Sequence, residues 1–174
     1  MGETTFARSF SPSTAAARPR AAEGQLRILF AGSSGGHLAT LHRLRPWWEH
    51  HQRLWVTFDT PDARSLLEGE RVIPAHHPTT RNLPNAVRNL GLARRVLGRY
   101  RPDLVVSNGA GVALPFFLVA RAMGIRTVFI EAIERVESRS LTGRLCYPLS
   151  DLFLLQWEEQ RALYPRGIVI GRLL

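Results

Sequence analysis

The chain has 174 residues with one cysteine, 11 prolines, and 23 basic against 14 acidic side chains, a formal net charge of +9. That length suits one domain with a real core. The single thiol, Cys146, excludes an internal disulfide, and no Cys/His spacing suits a structural zinc. No apolar run reaches the ~20 residues that span a bilayer. The longest, over 112–123, is interrupted by Pro115 and Arg121. All the basic residues are arginine. The charge favours phosphorylated substrates, anionic membrane surfaces or nucleic acid.

Residues 1–24 are rich in Ser, Thr, Ala, Arg and Gly, and are expected to be a disordered polar leader without a secretory signal. From residue 25 onward, apolar strands and helices alternate. Strand one is expected over 26–31 (LRILFA), followed by Gly32-Ser33-Ser34-Gly35-Gly36-His37 and a helix over 36–48. A strand turning through glycines into a helix presents unpaired N–H groups to an anion. The amides of Ser34, Gly35 and Gly36 are therefore candidate phosphate ligands. His37, in the first helical turn, is a candidate base, or a surface histidine on a tight turn. The loop is neither a Walker loop nor a dinucleotide fingerprint, which speaks against a free-standing Rossmann oxidoreductase.

Strand two is expected over 53–58, a helix over 62–68 with Thr60 capping and Pro61 at its first position, and strand three over 71–74. Over 81–101 the helical period gathers Leu83, Val87, Leu90 and Leu97 on one face and Arg88, Arg95 and Arg99 on another. This helix either packs its apolar stripe on the sheet or rests one edge and its arginines on an anionic membrane. Trp47 and Trp48 are a further candidate anchor, or core. Strand four (104–107) leads into Asn108-Gly109-Ala110-Gly111 and a helix over 112–123, stopped by Gly124. Strand five (125–130) ends at Glu131, a helix follows over 140–149, and strands six and seven take 151–155 and 167–170. The expected fold is α/β, a Rossmann-like doubly wound parallel sheet. Its ligand site lies at the carboxyl ends of the strands, where His37, Asn108, Gly109, Gly111 and Glu131 gather.

Taken in order, Ser107-Asn108-Gly109-Ala110-Gly111 with Pro115, Ile130-Glu131 with Arg135-Val136, Ser140-Leu141-Thr142-Gly143-Arg144, Tyr147-Pro148, Asp151 and Gln156-Trp157 resemble the oligosaccharide-biosynthesis protein family. That family includes asparagine-linked glycosylation protein 14 of eukaryotes and the PssD-type bacterial proteins. The front glycine loop fits it as well, so the resemblance covers about residues 26–174. It implies the acceptor-side half of a split GT-B glycosyltransferase, similar to the front half of MurG. A small separate chain then supplies the donor-binding carboxy-terminal half, and the chemistry is metal-independent, with no cofactor. The implied reaction moves a sugar from a UDP-sugar to a polyprenyl-diphosphate-linked acceptor at the cytoplasmic face of the membrane. Eukaryotic relatives carry an amino-terminal membrane helix, whereas this chain starts with the polar leader, so peripheral attachment is expected. The chain stops just after its last strand, which is expected to complete one domain and leave the site without a second wall.

In that reaction His37 and Glu131 are the candidate bases, Glu131 also being able to orient acceptor hydroxyls or to pair with Arg135. The amides of Gly35, Gly36, Gly109 and Gly111, with Arg135 and Arg144, are candidate diphosphate ligands; Asn108 bonds the acceptor or is a turn residue. The alternative is a non-catalytic scaffold that activates a partner transferase. Nucleic-acid binding is disfavoured, because the arginines are dispersed and no recognition motif is present.

Overall fold

The computed structural model describes residues 24–173; the expected polar leader lies outside them but for Gly24. Seven parallel strands form one sheet: β1 (Arg27–Ala31), β2 (Gln52–Thr57), β3 (Val72–Pro74), β4 (Leu104–Ser107), β5 (Arg126–Ile130), β6 (Leu152–Leu155) and β7 (Ile168–Val169). Their spatial order is β3-β2-β1-β4-β5-β6-β7. The order reverses between β1 and β4, whose carboxyl ends therefore open the crevice in which such sheets bind ligands.

Alternating strand residues serve opposite faces. Leu29, Leu54, Val105, Phe129 and Phe153 pack against α4 (Leu83–Tyr100), α5 (Ala113–Ala122) and α6 (Leu141–Cys146). Ile28, Phe30, Trp55, Val106 and Ile130 face the other way, toward α1 (Gly36–Arg43), α2 (Arg45–Trp48) and α3 (Pro61–Leu66). On that second face Val106, Val128, Ile130, Leu152 and Leu154 line a broad apolar cleft with Leu26, Trp47 and Ile170.

The single helix expected over 36–48 is two helices, α1 and α2, meeting at Leu44. Pro46 lies in the first turn of α2, where its missing N–H costs nothing, and it cannot continue α1. The break turns Trp48 into the core, 1% exposed, with its indole N–H donated to Leu41 O and its ring edge-on to Phe30 and Trp55. Trp48 is therefore no membrane anchor; Trp47 remains exposed. Strand boundaries move by one residue or so, Pro61 does open α3, and a 3-10 turn over Glu158–Ala162 was not foreseen.

α4 departs most from expectation. Its core stripe is Asn85, Asn89, Leu92, Ala93, Val96, Leu97 and Tyr100. Leu83, Val87 and Leu90 stand exposed beside that stripe, so the helix carries a second apolar strip. Arg88, Arg95 and Arg99 lie about 120° further round, and Arg88 is hydrogen-bonded to Asn85 Oδ1. The arginines and exposed leucines thus do not share one membrane-facing edge. The asparagines tie α4 to the preceding loop. Asn82 caps the helix, and buried Asn89 accepts from His76 N–H and donates to His76 O, both at 2.9 Å. Asn89→Ala leaves both groups of His76 unpaired and is expected to cost about 2 kcal/mol, read as a lower urea midpoint at unchanged slope.

Candidate functional site

Two strand-end loops meet across the crevice. Asn108, after β4, donates its amide to His37 O after β1 at 2.8 Å. Gly109 adopts φ +124°, and a Cβ there would sit 3.3 Å from His37 Cε1. Only glycine gives that backbone and lets the imidazole lie against it. His37 is half-buried with its side chain on the cleft. At Gly111 a Cβ would meet Thr79 Cβ at 2.7 Å, so this glycine admits the 78–81 loop as another wall.

The cleft these loops border has a volume of about 580 Å³. It is lined by His37, Thr79, Arg81, Asn108, Gly109, Gly111, Glu134 and Arg135, and by mainly apolar side chains of α4, α5 and α6. Arg81, adjoining α4, was not singled out in the sequence as a ligand; its signal, an arginine beside a strand-end loop, is shared by many surface residues. Arg144 is exposed and outside the lining.

The first glycine loop differs from expectation. Gly35 N–H is donated to Asp62 Oδ2 at 2.8 Å. The Thr60 side chain, then this Gly35 amide, hold the Asp62 carboxyl below its ordinary value. A carboxylate on the loop opposes a phosphate there, and Ser34, Gly35 and Gly36 do not line the cleft. Gly109 N–H is likewise engaged, by Ser107 Oγ at 3.2 Å. Of the candidate anion ligands, Asn108, Gly109, Gly111 and Arg135 line the cleft, as does Arg81.

Glu131 lies at the cleft wall but is 1% exposed. Its Oε1 accepts from Ala132 N–H at 3.0 Å and from Ser140 Oγ at 3.1 Å, while Ser140 Oγ accepts from Gly143 N–H at 2.8 Å to cap α6. A Cβ at Gly143 would collide with Glu131 Oε2, the Tyr164 hydroxyl and Ser140 Oγ, so the Ser-x-x-Gly spacing makes room for the carboxylate. Glu131 is not paired with Arg135. It fastens the end of β5 to α6.

Two acids beside it feel this environment. Burial first, and Glu131 second, push the Cys146 thiol up to about 12. Burial, then the neighbouring Glu131 carboxylate, also raise the Tyr164 phenol. A folded pKa above the unfolded one means the native state holds its proton longer, so stability is full below the unfolded pKa and lost as pH rises. Between about pH 9 and 12, stability is expected to fall by about 1.4 kcal/mol per pH unit for the Cys146 thiol alone. Urea midpoints at pH 8 and 10 check this, with Cys146→Ala reducing the slope.

The loop after Glu131 is held by side chains the sequence did not single out for that task. Gln156 Nε2 donates to Glu131 O, Gln160 Nε2 to Ala132 O and Arg135 O, and Trp157 Nε1 to Ile133 O, at 2.8–3.2 Å. Gln160 Oε1 accepts from the backbone of Gln156 and Trp157. Gln160 is fully buried. This bracket fixes the backbone that carries Glu134 and Arg135 to the cleft.

The model of the family described as "Oligosaccharide biosynthesis protein Alg14 like" matches residues 75–173. The chain belongs to this family. The human protein named UDP-N-acetylglucosamine transferase subunit ALG14 is 31% identical over 180 residues, covering 86% of this chain and 83% of its own. Among solved structures, MurG of Acinetobacter baumannii superposes with a TM-score of 0.63 at 17% identity, over 78% of this chain and 42% of MurG. S. aureus MnaA, solved with UDP, gives 0.70 at 13% identity, over 86% and 46%. The chain spans less than half the length of both structures. The fold is the Rossmann-like half of a GT-B architecture, as expected from the sequence.

Proposed function

We propose that this chain is the acceptor-side subunit of a two-chain glycosyltransferase. It works with a small donor-binding partner, moving a sugar from a UDP-sugar to a polyprenyl-diphosphate-linked saccharide at the cytoplasmic face of the membrane. The observation that carries the reading is the cleft at the β1/β4 switch point, where His37 and two arginines adjoin a leucine-lined wall in a member of this family. The relative's name, a transferase subunit, supports a partner chain and makes UDP-N-acetylglucosamine the first donor to test. The apolar face of β4 to β6, left open among the described residues, also supports a second chain, since parallel sheets are normally covered on both faces.

In this reading the acceptor hydroxyl attacks the anomeric carbon, His37 takes the hydroxyl proton, and UDP leaves with the bonding pair. Arg135 and Arg81 neutralise the acceptor diphosphate. Asn108 and Glu131 are positioning residues, the first through His37, the second through the loop that ends at Ser140. No helix among the described residues is long and apolar enough to cross a membrane. Leu83 and Val87 supply a peripheral contact instead, a narrower patch than one including Arg95 and Arg99.

The test is transfer of label from UDP-sugars to polyprenyl-diphosphate-linked acceptors by this chain, by the partner, and by both. Activity only with both is expected. Activity of the partner alone, merely raised by this chain, overturns the reading in favour of the scaffold.

A further inference from the structure

Twelve large apolar side chains are exposed among the described residues, and six of them line the one cleft that holds His37. They come from three neighbouring helices on the same face of the sheet. α5 is packed between α4 and α6, so it forms the floor and its neighbours form the walls. Exposure is graded: 75, 69 and 62% at Leu83, Leu141 and Val87, against 44, 44 and 40% at Leu118, Leu145 and Leu90. The first three stand out as a rim; the second three line a trough. Charge lines the same cleft. Arg81 and Arg135 line it together with His37 and the exposed Glu134, and neither arginine has an ion-pair partner among the described residues. A surface meant only for a bilayer has no reason to recess part of its apolar area between helices in a cleft that also holds two arginines. An amphiphile with an anionic head and a branched apolar tail matches this lining.

Resting on the acceptor reading above, we propose that the trough formed by Leu90, Leu118 and Leu145 holds the first isoprene units of the acceptor, with its diphosphate at Arg81 and Arg135. The tail is then part of what the protein recognises. Its proximal units leave the bilayer and bind the protein, while Leu83, Val87 and Leu141 meet the membrane surface. Seating the tail fixes how far the diphosphate, and the sugar hydroxyl beyond it, stand from His37. Substrates differing only in the tail are thereby discriminated by binding and not only by partition into membranes.

Calorimetry on the full chain with inorganic diphosphate, geranyl diphosphate and farnesyl diphosphate, each below its aggregation limit, tests this. Every buried methylene contributes to binding, so farnesyl diphosphate is expected to bind at least about tenfold more tightly than inorganic diphosphate, with geranyl between. The double variant Leu118→Gln/Leu145→Gln changes exposed positions. It is expected to abolish the dependence on tail length while retaining affinity for inorganic diphosphate. The rim variant Leu83→Gln/Leu141→Gln is expected to weaken sedimentation with phosphatidylglycerol vesicles and to leave the farnesyl gain intact. Equal affinity for all three probes, or a farnesyl gain that survives the trough substitutions, overturns the proposal. So does a trough variant that loses only vesicle binding, which makes the bilayer the occupant. The two-chain transfer assay separates the two failures. Transfer to a lipid-linked acceptor without any tail dependence sinks the trough alone; no transfer to any such acceptor sinks the underlying reading with it.

Discussion

Replacing His37 by alanine is expected to slow sugar transfer by the two-chain enzyme about 10²–10⁴-fold, the usual contribution of a positioned general base. Its ring is on the cleft, packed against Gly109, and its carbonyl is held by Asn108 from the opposite side of the switch point. These contacts fix the imidazole without using it to support the core. His37→Ala should therefore leave the urea midpoint and partner co-purification nearly unchanged. Gly109→Ala tests the same geometry from the other side, because a methyl group meets the ring and the left-handed backbone is strained. Its transfer rate is expected to fall part of the way. Asn108→Ala frees the His37 carbonyl and should also give an intermediate loss, reversed in part by Asn108→Gln only if the longer amide still reaches. Full transfer by His37→Ala removes the imidazole from the mechanism.

Where the sequence was legible, one pattern was at work. Apolar runs bounded by Gly, Pro and Asp mark the strands, because a parallel sheet packed against helices keeps polar residues such as Arg53 and Thr127 few inside a strand. The switch point followed from the same runs, since polar residues appear where each strand ends. His37 and Asn108, separated by 71 positions, could be assigned to one site before any contact was known. The break at Leu44 was hidden because the tryptophans after Pro46 continue an apolar helical pattern that tertiary packing around Phe30 and Trp55 overrides.

Polar residues inside the domain were the less legible part. Gln160 reads as surface, yet it is fully buried because four backbone groups of two loops converge on its amide. Asp62 reads as a first-turn residue of α3, and that is where it lies; nothing in its spacing shows that its carboxylate reaches Gly35 across 27 positions. α4 misled for a third reason. A helical period places Leu83, Val87, Leu90 and Leu97 together, but the buried stripe is completed by Asn85 and Asn89, which pattern reading counts as polar. The apolar strip left over then faces the cleft.

Glu131 separates a residue that performs chemistry from one that builds the place where chemistry occurs. Glu131→Ala removes the acceptor for Ala132 N–H and the Ser140 hydroxyl in a site closed to water, and it empties space beside Tyr164 and Cys146. The expected cost is about 3 kcal/mol, a large part of a single domain's stability. Glu131→Gln keeps the side-chain volume and one carbonyl oxygen. Turned so that this oxygen meets Ala132 N–H and Ser140 Oγ, it should cost about 1 kcal/mol. A base behaves differently, because glutamine abolishes proton uptake as completely as alanine does. Transfer per folded molecule is thus the deciding quantity. Glu131→Gln is expected to retain most of it, and Glu131→Ala to lose transfer in step with its lost fold. A Glu131→Gln protein with a native urea midpoint but a hundredfold slower reaction would return the carboxylate to the catalytic step. It would also require Ser140 and Ala132 to release it when the acceptor binds.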